Sequence, residues 1–309
     1  MNCCGCLGGV LCRVVWRGYE WGMGIRTTDW TLKNDRGLEL LGNTEHPEGE
    51  AVGCVVLVHG FKGYKDYGFV PVMARMLAER GVLVHRFNLS CSGMTNDVGT
   101  FGREDLFALD TWNRQVEDVR CVLDAVADGT IDGAGLGVFV CGHSRGGATA
   151  LLTAGRTAGR EGHPQLSGVV TINAVDGCSR LTDAQHRAML DDGFLLTESA
   201  RTGQSLRIDA GWLQEQLDDP VGHDVLRVCK DIECPVLVMH GDRDEAVDIS
   251  AGRAIAGAVG EDLCLISGAN HVLNMANPAP EDGTISPQLG EAVENIASFV
   301  ITNRSRTPI

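Results

Sequence analysis

Six short runs of apolar, largely β-branched residues recur along the chain, and they constrain its fold more than any other feature. They are Val55–Val58, Val82–Phe87, Val138–Cys141, Val169–Ile172, Val236–Met239 and Leu263–Ile266. Each is nearly continuous in apolar character rather than alternating, as expected of a strand covered on both faces in a parallel sheet. Glycine-rich turns and helix-period segments lie between them. In one such segment Trp112, Val116, Val119, Leu123 and Val126 form a single stripe that must face a sheet. This alternation specifies an α/β fold, a mostly parallel, doubly wound sheet with helices on both sides. Ahead of it, about Arg26–Lys33 and Leu38–Thr44 flank Asn34-Asp35-Arg36-Gly37 and read as an antiparallel hairpin. A chain of 309 residues buries enough surface on folding to need no disulfide or metal staple.

The rhythm fails once. From Asp176 to Glu233 no strand of the buried kind appears, and roughly sixty residues is too long for an ordinary connection. The stretch offers a helical piece at Asp183–Asp191, a hairpin of Phe194–Ser199 and Ser205–Asp209 around Arg201-Thr202-Gly203-Gln204, and a further helix near Trp212–Leu217. We read residues 176–233 as a small cap inserted over the carboxyl edge of the sheet, where α/β proteins bind ligands. The core is then 26–175 together with 234–309, preceded by a leader at 1–25.

Twelve cysteines are divided unevenly. Cys54, Cys91, Cys121, Cys141, Cys178, Cys229, Cys234 and Cys264 are scattered in or beside apolar runs and read as small buried hydrophobes. Cys3, Cys4, Cys6 and Cys12 crowd the leader without a C-x-x-C pair or a nearby histidine, a poor metal set. Arg13 and Arg17 follow the short apolar stretch instead of preceding it, which argues against a secretory signal. The leader reads as an unstructured or docked extension, with Met23 an alternative start. So many unpaired thiols fit a reducing, cytoplasmic compartment.

Lys and Arg total 26 against 41 Asp and Glu, a net charge of −15. This balance disfavours nucleic acid, whose recognition needs a basic stripe, and adhesion to an anionic membrane surface. No apolar run reaches the ~20 residues a membrane span requires. Oligomeric state is left open by the charge, which suits monomers and dimers alike.

The chemistry centres on Gly142-His143-Ser144-Arg145-Gly146-Gly147, directly after one apolar run and directly before a helical Ala148–Leu152. Gly-x-Ser-x-Gly between strand and helix places a serine on a sharp, strained turn, with glycines where side chains would collide. The helix amino terminus then favours developing negative charge. A serine hydroxyl needs a base, and the base an orienting carboxylate. Two later runs end in Gly241-Asp242-Arg243-Asp244-Glu245 and in Ser267-Gly268-Ala269-Asn270-His271. The order serine, acid, histidine points to Ser144, Asp244 and His271, with Asp242 and then Asp248 as alternatives for the acid. His143 is expected to point elsewhere, and His59 and His240 to be structural. Oxyanion donors are expected from the backbone N–H groups of Phe61, in His59-Gly60-Phe61-Lys62-Gly63, and Arg145; loss of one such donor costs about 3 kcal/mol of transition-state stabilisation. Lys62–Gly68 and Ser90–Gly93 are expected to border the pocket.

These motifs resemble the α/β-hydrolase superfamily from about Arg26 to the end. Within it, HGFKGYKD, GHSRGG, ARTGQ, HGDRDEAV and GANHVL are similar to bacterial esterases of the cinnamoyl or feruloyl type and to serine-aminopeptidase-like relatives. The resemblance implies the Ser144–Asp244–His271 triad, an acyl-enzyme, no metal and no organic cofactor, and an insertion that shapes the acyl or alcohol pocket. Asn88–Gly93 departs from the Asp-x-x-Gly-x-Gly loop common among such relatives. The expected activity is hydrolysis of small, neutral carboxylic esters, including aryl or feruloyl esters. The alternative is a serine peptidase on short peptides, with Asp183, Asp191, Asp192 or Glu198 receiving a free amino terminus. A non-catalytic binding protein would usually lack a triad member, and none is missing. Thioesterase and lactonase activities stay open.

Overall fold

The computed structural model describes residues 25–160, 162, 163 and 165–304. The cysteine-rich leader and Met23 lie outside the described residues. In chain order the elements are β1 (Arg26–Lys33), β2 (Glu39–His46), β3 (Gly53–Val58), α1 (Phe69–Ala78), β4 (Val82–Phe87), α2 (Glu104–Ala108), α3 (Trp112–Ala127), β5 (Val138–His143), α4 (Arg145–Thr157) and β6 (Gly168–Ile172). There follow α5 (Asp183–Asp192), β7 (Phe194–Glu198), β8 (Ser205–Asp209), α6 (Gly211–Asp218), α7 (Val225–Cys229), β9 (Val236–Gly241), α8 (Ile249–Val259), β10 (Leu263–Ile266) and α9 (Pro287–Asn303).

Eight strands form one sheet in the order β1-β2-β4-β3-β5-β6-β9-β10. The β1–β2 and β2–β4 pairs are antiparallel and the others parallel. The apolar runs are continuous because each strand feeds two cores. Cys54, Val56 and Val58 join the cluster under α3, α4, α7 and α8, whereas Val55 and Leu57 join the one under α1 and α9. Val138 and Val140 divide from Phe139 and Cys141 in the same way. With side chains alternating between two covered faces, the strands show no polar alternation.

The opening hairpin turns where expected. Asn34 Oδ1 accepts from Arg36 and Leu38 N–H at 3.0 Å each, and Gly37 takes φ 71°. Asn34 is itself buried, its amide donating to Asp118 Oδ1 at 2.8 Å, which ties the hairpin to α3. Thr111 caps α3 through Arg114 N–H, and a buried Trp112 opens the apolar stripe.

Between β6 and β9, β7 and β8 make a separate two-stranded antiparallel sheet. Thr182 and Gln185 form a capping box on α5, and left-handed Gly193 ends it. The hairpin turn is fastened to the segment before α2: Gln204 Oε1 accepts from Phe101 N–H at 2.9 Å and Thr100 Oγ1 at 3.0 Å. Arg201 lies over Tyr64 and Phe101, 4.9 and 5.0 Å from their ring centroids. By contrast α7 packs against α4 and α8, with Val225, Val228 and Cys229 in the main cluster. The last part of 176–233 therefore belongs to the helical layer. Among the described residues no helix is long and apolar enough to cross a membrane.

Candidate active site

The three loops after β5, β9 and β10 carry the sequence-predicted side chains. Strand β5 runs to His143 and α4 starts at Arg145, so Ser144 alone makes the reversal. It sits at φ 55°, ψ −122°, a conformation that costs a non-glycine residue about 1–3 kcal/mol and persists only where its surroundings impose it. A Cβ on Gly142 would lie 2.1 Å from Gly146 O, and one on Gly146 only 2.3 Å from Val58 O. Glycine at both positions is thus required for α4 to leave so close to β3. Ser144 N–H donates to Ile172 O at 2.9 Å, pinning the turn to β6.

After β9, Asp244 turns inward with its side chain fully buried. Its Oδ1 accepts from Ala246 and Val247 N–H at 2.8 and 2.9 Å, and its Oδ2 lies 2.7 Å from His271 Nδ1. Burial alone would raise its pKa, but the His271 hydrogen bond and the Val247 N–H outweigh it and hold the carboxyl below its usual range. Of the other acids weighed, Asp242 accepts from Gly268 N–H at 2.6 Å and Asp248 caps α8 through Ser250 N–H. Neither is bonded to His271.

His271 is oriented from behind as well. His143 Nε2 bonds its carbonyl at 2.7 Å, and the two rings lie 4.8 Å apart. Burial, with His271 close by, pushes the His143 pKa down to about 3, so this ring stays neutral. His59 is likewise pushed to about 4 by burial; its Nε2 accepts from Leu89 N–H and its Nδ1 faces Gly60 O. His240 is buried with Nε2 on Val247 O at 2.9 Å. No hydrogen bond joins Ser144 to His271 in this structure; catalytic contacts of this kind often tighten only with substrate.

Asn173 was not singled out in the sequence. Fully buried at φ 51°, it donates to Asn270 O at 3.2 Å and His271 O at 2.9 Å while accepting from Gly241 N–H at 2.8 Å. One amide thereby holds the end of β6 to both the acid-bearing and histidine-bearing loops. The only local signal is an asparagine just past a strand, a residue tolerant of left-handed backbone.

Facing the serine is the turn after β3. A Cβ on Gly60 would approach Ser144 Cβ to 3.0 Å, and Gly63 N–H closes the turn on Gly60 O at 3.0 Å. Among the described residues Phe61 N–H has no protein acceptor. Arg145 occupies the first position of α4, where the N–H has no intrahelical carbonyl to bond. Its side chain is buried between core and insertion, 4.6 Å from the Trp112 ring, 5.4 Å from Phe61 and 5.8 Å from Trp212. Nη2 lies 3.2 Å from Asp110 Oδ2, oriented as an ion pair rather than a hydrogen bond. Beneath the turn a cavity is lined by residues including His59, Phe61, Cys91, Ser92, Asp110 and Gln115. Asp183, Asp191, Asp192 and Glu198 are all exposed. Among the described residues no group of three or more His, Cys, Asp or Glu could hold a metal.

Est1E from Butyrivibrio proteoclasticus superposes with a TM-score of 0.61 at 17% identity, over 89% of this chain and 98% of that one. The esterase domain of a Rhodothermus marinus protein gives 0.59 at 20% identity, over 90% and 98%. A puromycin-hydrolyzing peptidase of Mycobacterium tuberculosis gives 0.59 at 18% identity, covering 91% of this chain and 40% of that one. No curated protein matches the sequence. The model of the alpha/beta hydrolase family matches residues 55–281. With most of its length so matched, and a mostly parallel sheet flanked by helices on both faces, the chain belongs to the alpha/beta hydrolase family.

Proposed function

We propose that this hydrolase cleaves carboxylic esters through an acyl-enzyme, with Ser144 as nucleophile, His271 as base and Asp244 as its orienting acid. The observation that carries the reading is the buried Asp244 carboxylate 2.7 Å from His271 Nδ1, on the same sheet edge as a serine held at φ 55°. A carboxylate on Nδ1 keeps the proton there and leaves Nε2 as the acceptor. His271 Nε2 removes the Ser144 proton as Oγ attacks the ester carbonyl. Phe61 and Arg145 N–H groups receive the resulting oxyanion. The alkoxide leaves with the proton from His271, and water, activated by the same histidine, releases the acid and restores Ser144.

Ester rather than peptide substrates are supported by the esterases among the structural neighbours, including Est1E with ferulic acid bound, at a TM-score of 0.64 and 18% identity. A small neutral ester, aryl or hydroxycinnamoyl among them, suits the acidic surface. The insertion between β6 and β9 is proposed to close over the acyl or alcohol moiety. Eight cysteines free of disulfides among the described residues support a reducing, cytoplasmic compartment.

The test is a panel of p-nitrophenyl esters of rising chain length, methyl ferulate and aminoacyl-anilides, run beside Ser144→Ala. Ester turnover abolished in the variant is expected. Anilide cleavage alone would move the assignment to a peptidase. Folded protein without turnover or fluorophosphonate labelling would overturn both.

A further inference from the structure

The turn that presents Phe61 N–H contains a conflict between sequence and backbone. It is closed by Gly63 N–H on Gly60 O at 3.0 Å, which makes Lys62 its third residue, and Lys62 takes φ 58°. A left-handed third residue is the requirement of a type II turn, and glycine is the residue that meets it without cost. Here glycine stands on either side, at positions 60 and 63, and a lysine occupies the strained place between them. Something outside the turn must hold it there.

The side chain shows what does. Lys62 Nζ reaches across to the inserted hairpin, donating to Thr197 Oγ1 at 2.8 Å and to Glu198 O, both on β7. On the way it passes the Phe61 ring, 5.2 Å from the centroid. These are the only hydrogen bonds of its ammonium among the described residues, and both end on the insertion.

We propose that Lys62 is a positioning residue that makes the oxyanion hole depend on the insertion: the β7 hairpin, through the lysine ammonium, holds the turn in the strained conformation that aims Phe61 N–H beside Ser144. With β7 seated, the tether offsets the left-handed conformation. With β7 displaced, Lys62 relaxes toward negative φ, the Gly63 N–H bond to Gly60 O is lost, and the Gly60–Phe61 peptide that carries the donor is no longer held. The insertion therefore governs transition-state stabilisation and not only access. This rests on the assignment of Phe61 as an oxyanion donor.

The experiment separates tether from strain. Lys62→Met removes the ammonium and keeps the penalty, Lys62→Gly removes both, and Lys62→Arg keeps a donor of similar reach. On a p-nitrophenyl ester, Lys62→Met is expected to lose about tenfold to a hundredfold in kcat with KM within about twofold, part of the loss seen when an oxyanion donor is deleted outright. Lys62→Gly, free to hold the turn unaided, is expected within about fivefold of the parent, and Lys62→Arg to retain most activity. Protection of the Gly63 amide from hydrogen exchange, read in parallel, should fall in Lys62→Met and persist in Lys62→Gly. Parent kcat in Lys62→Met, or equal losses in the methionine and glycine variants, would overturn the proposal and leave the lysine a simple fastener. An inactive parent would instead remove the esterase assignment, while amide exchange would still decide whether Lys62 holds the turn.

Discussion

Asp244→Asn discriminates among the three aspartates that follow β9. The carboxylate has two separate tasks: Oδ1 takes the Ala246 and Val247 N–H groups, and Oδ2 takes the proton of His271 Nδ1. An asparagine can satisfy only the first with its oxygen, because turning the NH₂ toward two backbone donors would lose both bonds. Its NH₂ must then face His271 Nδ1, which has to accept, and the imidazole proton moves to Nε2. That is the nitrogen needed to receive the Ser144 proton. A serine triad held in the wrong tautomer loses about 10⁴ in kcat, equivalent to about 5.5 kcal/mol of barrier. Stability should change by only about 1 kcal/mol, since the number of hydrogen bonds is preserved. Asp242→Asn keeps an oxygen for Gly268 N–H and should stay within about threefold of the parent in kcat. Steady-state kinetics on a p-nitrophenyl ester, with urea unfolding of each variant, gives both quantities. Asp244→Asn within tenfold (~1.4 kcal/mol) of the parent, or an equal loss in Asp242→Asn, would refute the assignment.

Three further outcomes are expected. Gly146→Ala would place a Cβ 2.3 Å from Val58 O and 2.5 Å from His59 O, backbone atoms of a central strand and its exit; about 3 kcal/mol or more should be lost in urea unfolding, together with activity, and a variant as stable as the parent would show that α4 can shift away from β3. Arg145→Met leaves the Asp110 carboxylate, which still accepts from Gln115 Nε2 at 2.8 Å, without the guanidinium beside it and should cost about 3 kcal/mol, partly recovered by adding Asp110→Asn; no recovery in the double variant would show that the aromatic contacts, not the ion pair, hold the arginine. Asp118 is pushed up to about 6 by burial, against hydrogen bonds from Asn34 and Ser90. The native state then holds its proton more firmly than the unfolded chain, so stability is greatest below the usual carboxylate range and falls as pH rises toward about 6, by about 3 kcal/mol in all. The pH dependence of unfolding should flatten between about pH 4 and pH 6 in Asp118→Asn, and an unchanged slope would contradict that origin.

The sheet was legible because its physics is local. A strand buried on both faces must be apolar at every position, and the two apolar clusters divide neighbours such as Val55 and Val56 accordingly. The hairpin at Asn34–Gly37, α5 and the β7–β8 pair carry their own turn and capping chemistry and were equally readable. Short elements were not: α2 and α7 span five residues each, too few for a helical period to emerge. The latter decides where the insertion rejoins the core. At the site, the Ser144 turn announces itself through glycines two residues either side. The acid does not, because Asp242, Asp244 and Asp248 share one loop and differ only in which reaches the His271 ring. Asn173, the Lys62 tether and the cage around Arg145 join residues far apart in the chain, and no local pattern records such contacts.

Those distant contacts also bear on substrate charge. A subsite for the amino terminus of a peptide needs a carboxylate that is shielded from water and free to pair, since a fully solvated one contributes little. Asp183, Asp191, Asp192 and Glu198 are exposed, so screening weakens whatever pull they exert. Among the described residues the shielded acids at the junction of core and insertion are Asp110 and Glu215, and each is engaged. Asp110 faces Arg145, while Glu215 accepts from Asn113 N–H and lies 3.4 Å from His223 Nε2. An incoming ammonium would have to displace the guanidinium that occupies the space between Trp112, Trp212 and Phe61. Arg145, directly after the proposed nucleophile, thus meets Asp110 with a cation of the protein's own, which leaves that carboxylate engaged before a cationic substrate group arrives. If Ser144 is the nucleophile, as proposed, the same pair that anchors α4 would discriminate against free amino termini and favour an uncharged ester over an aminoacyl substrate.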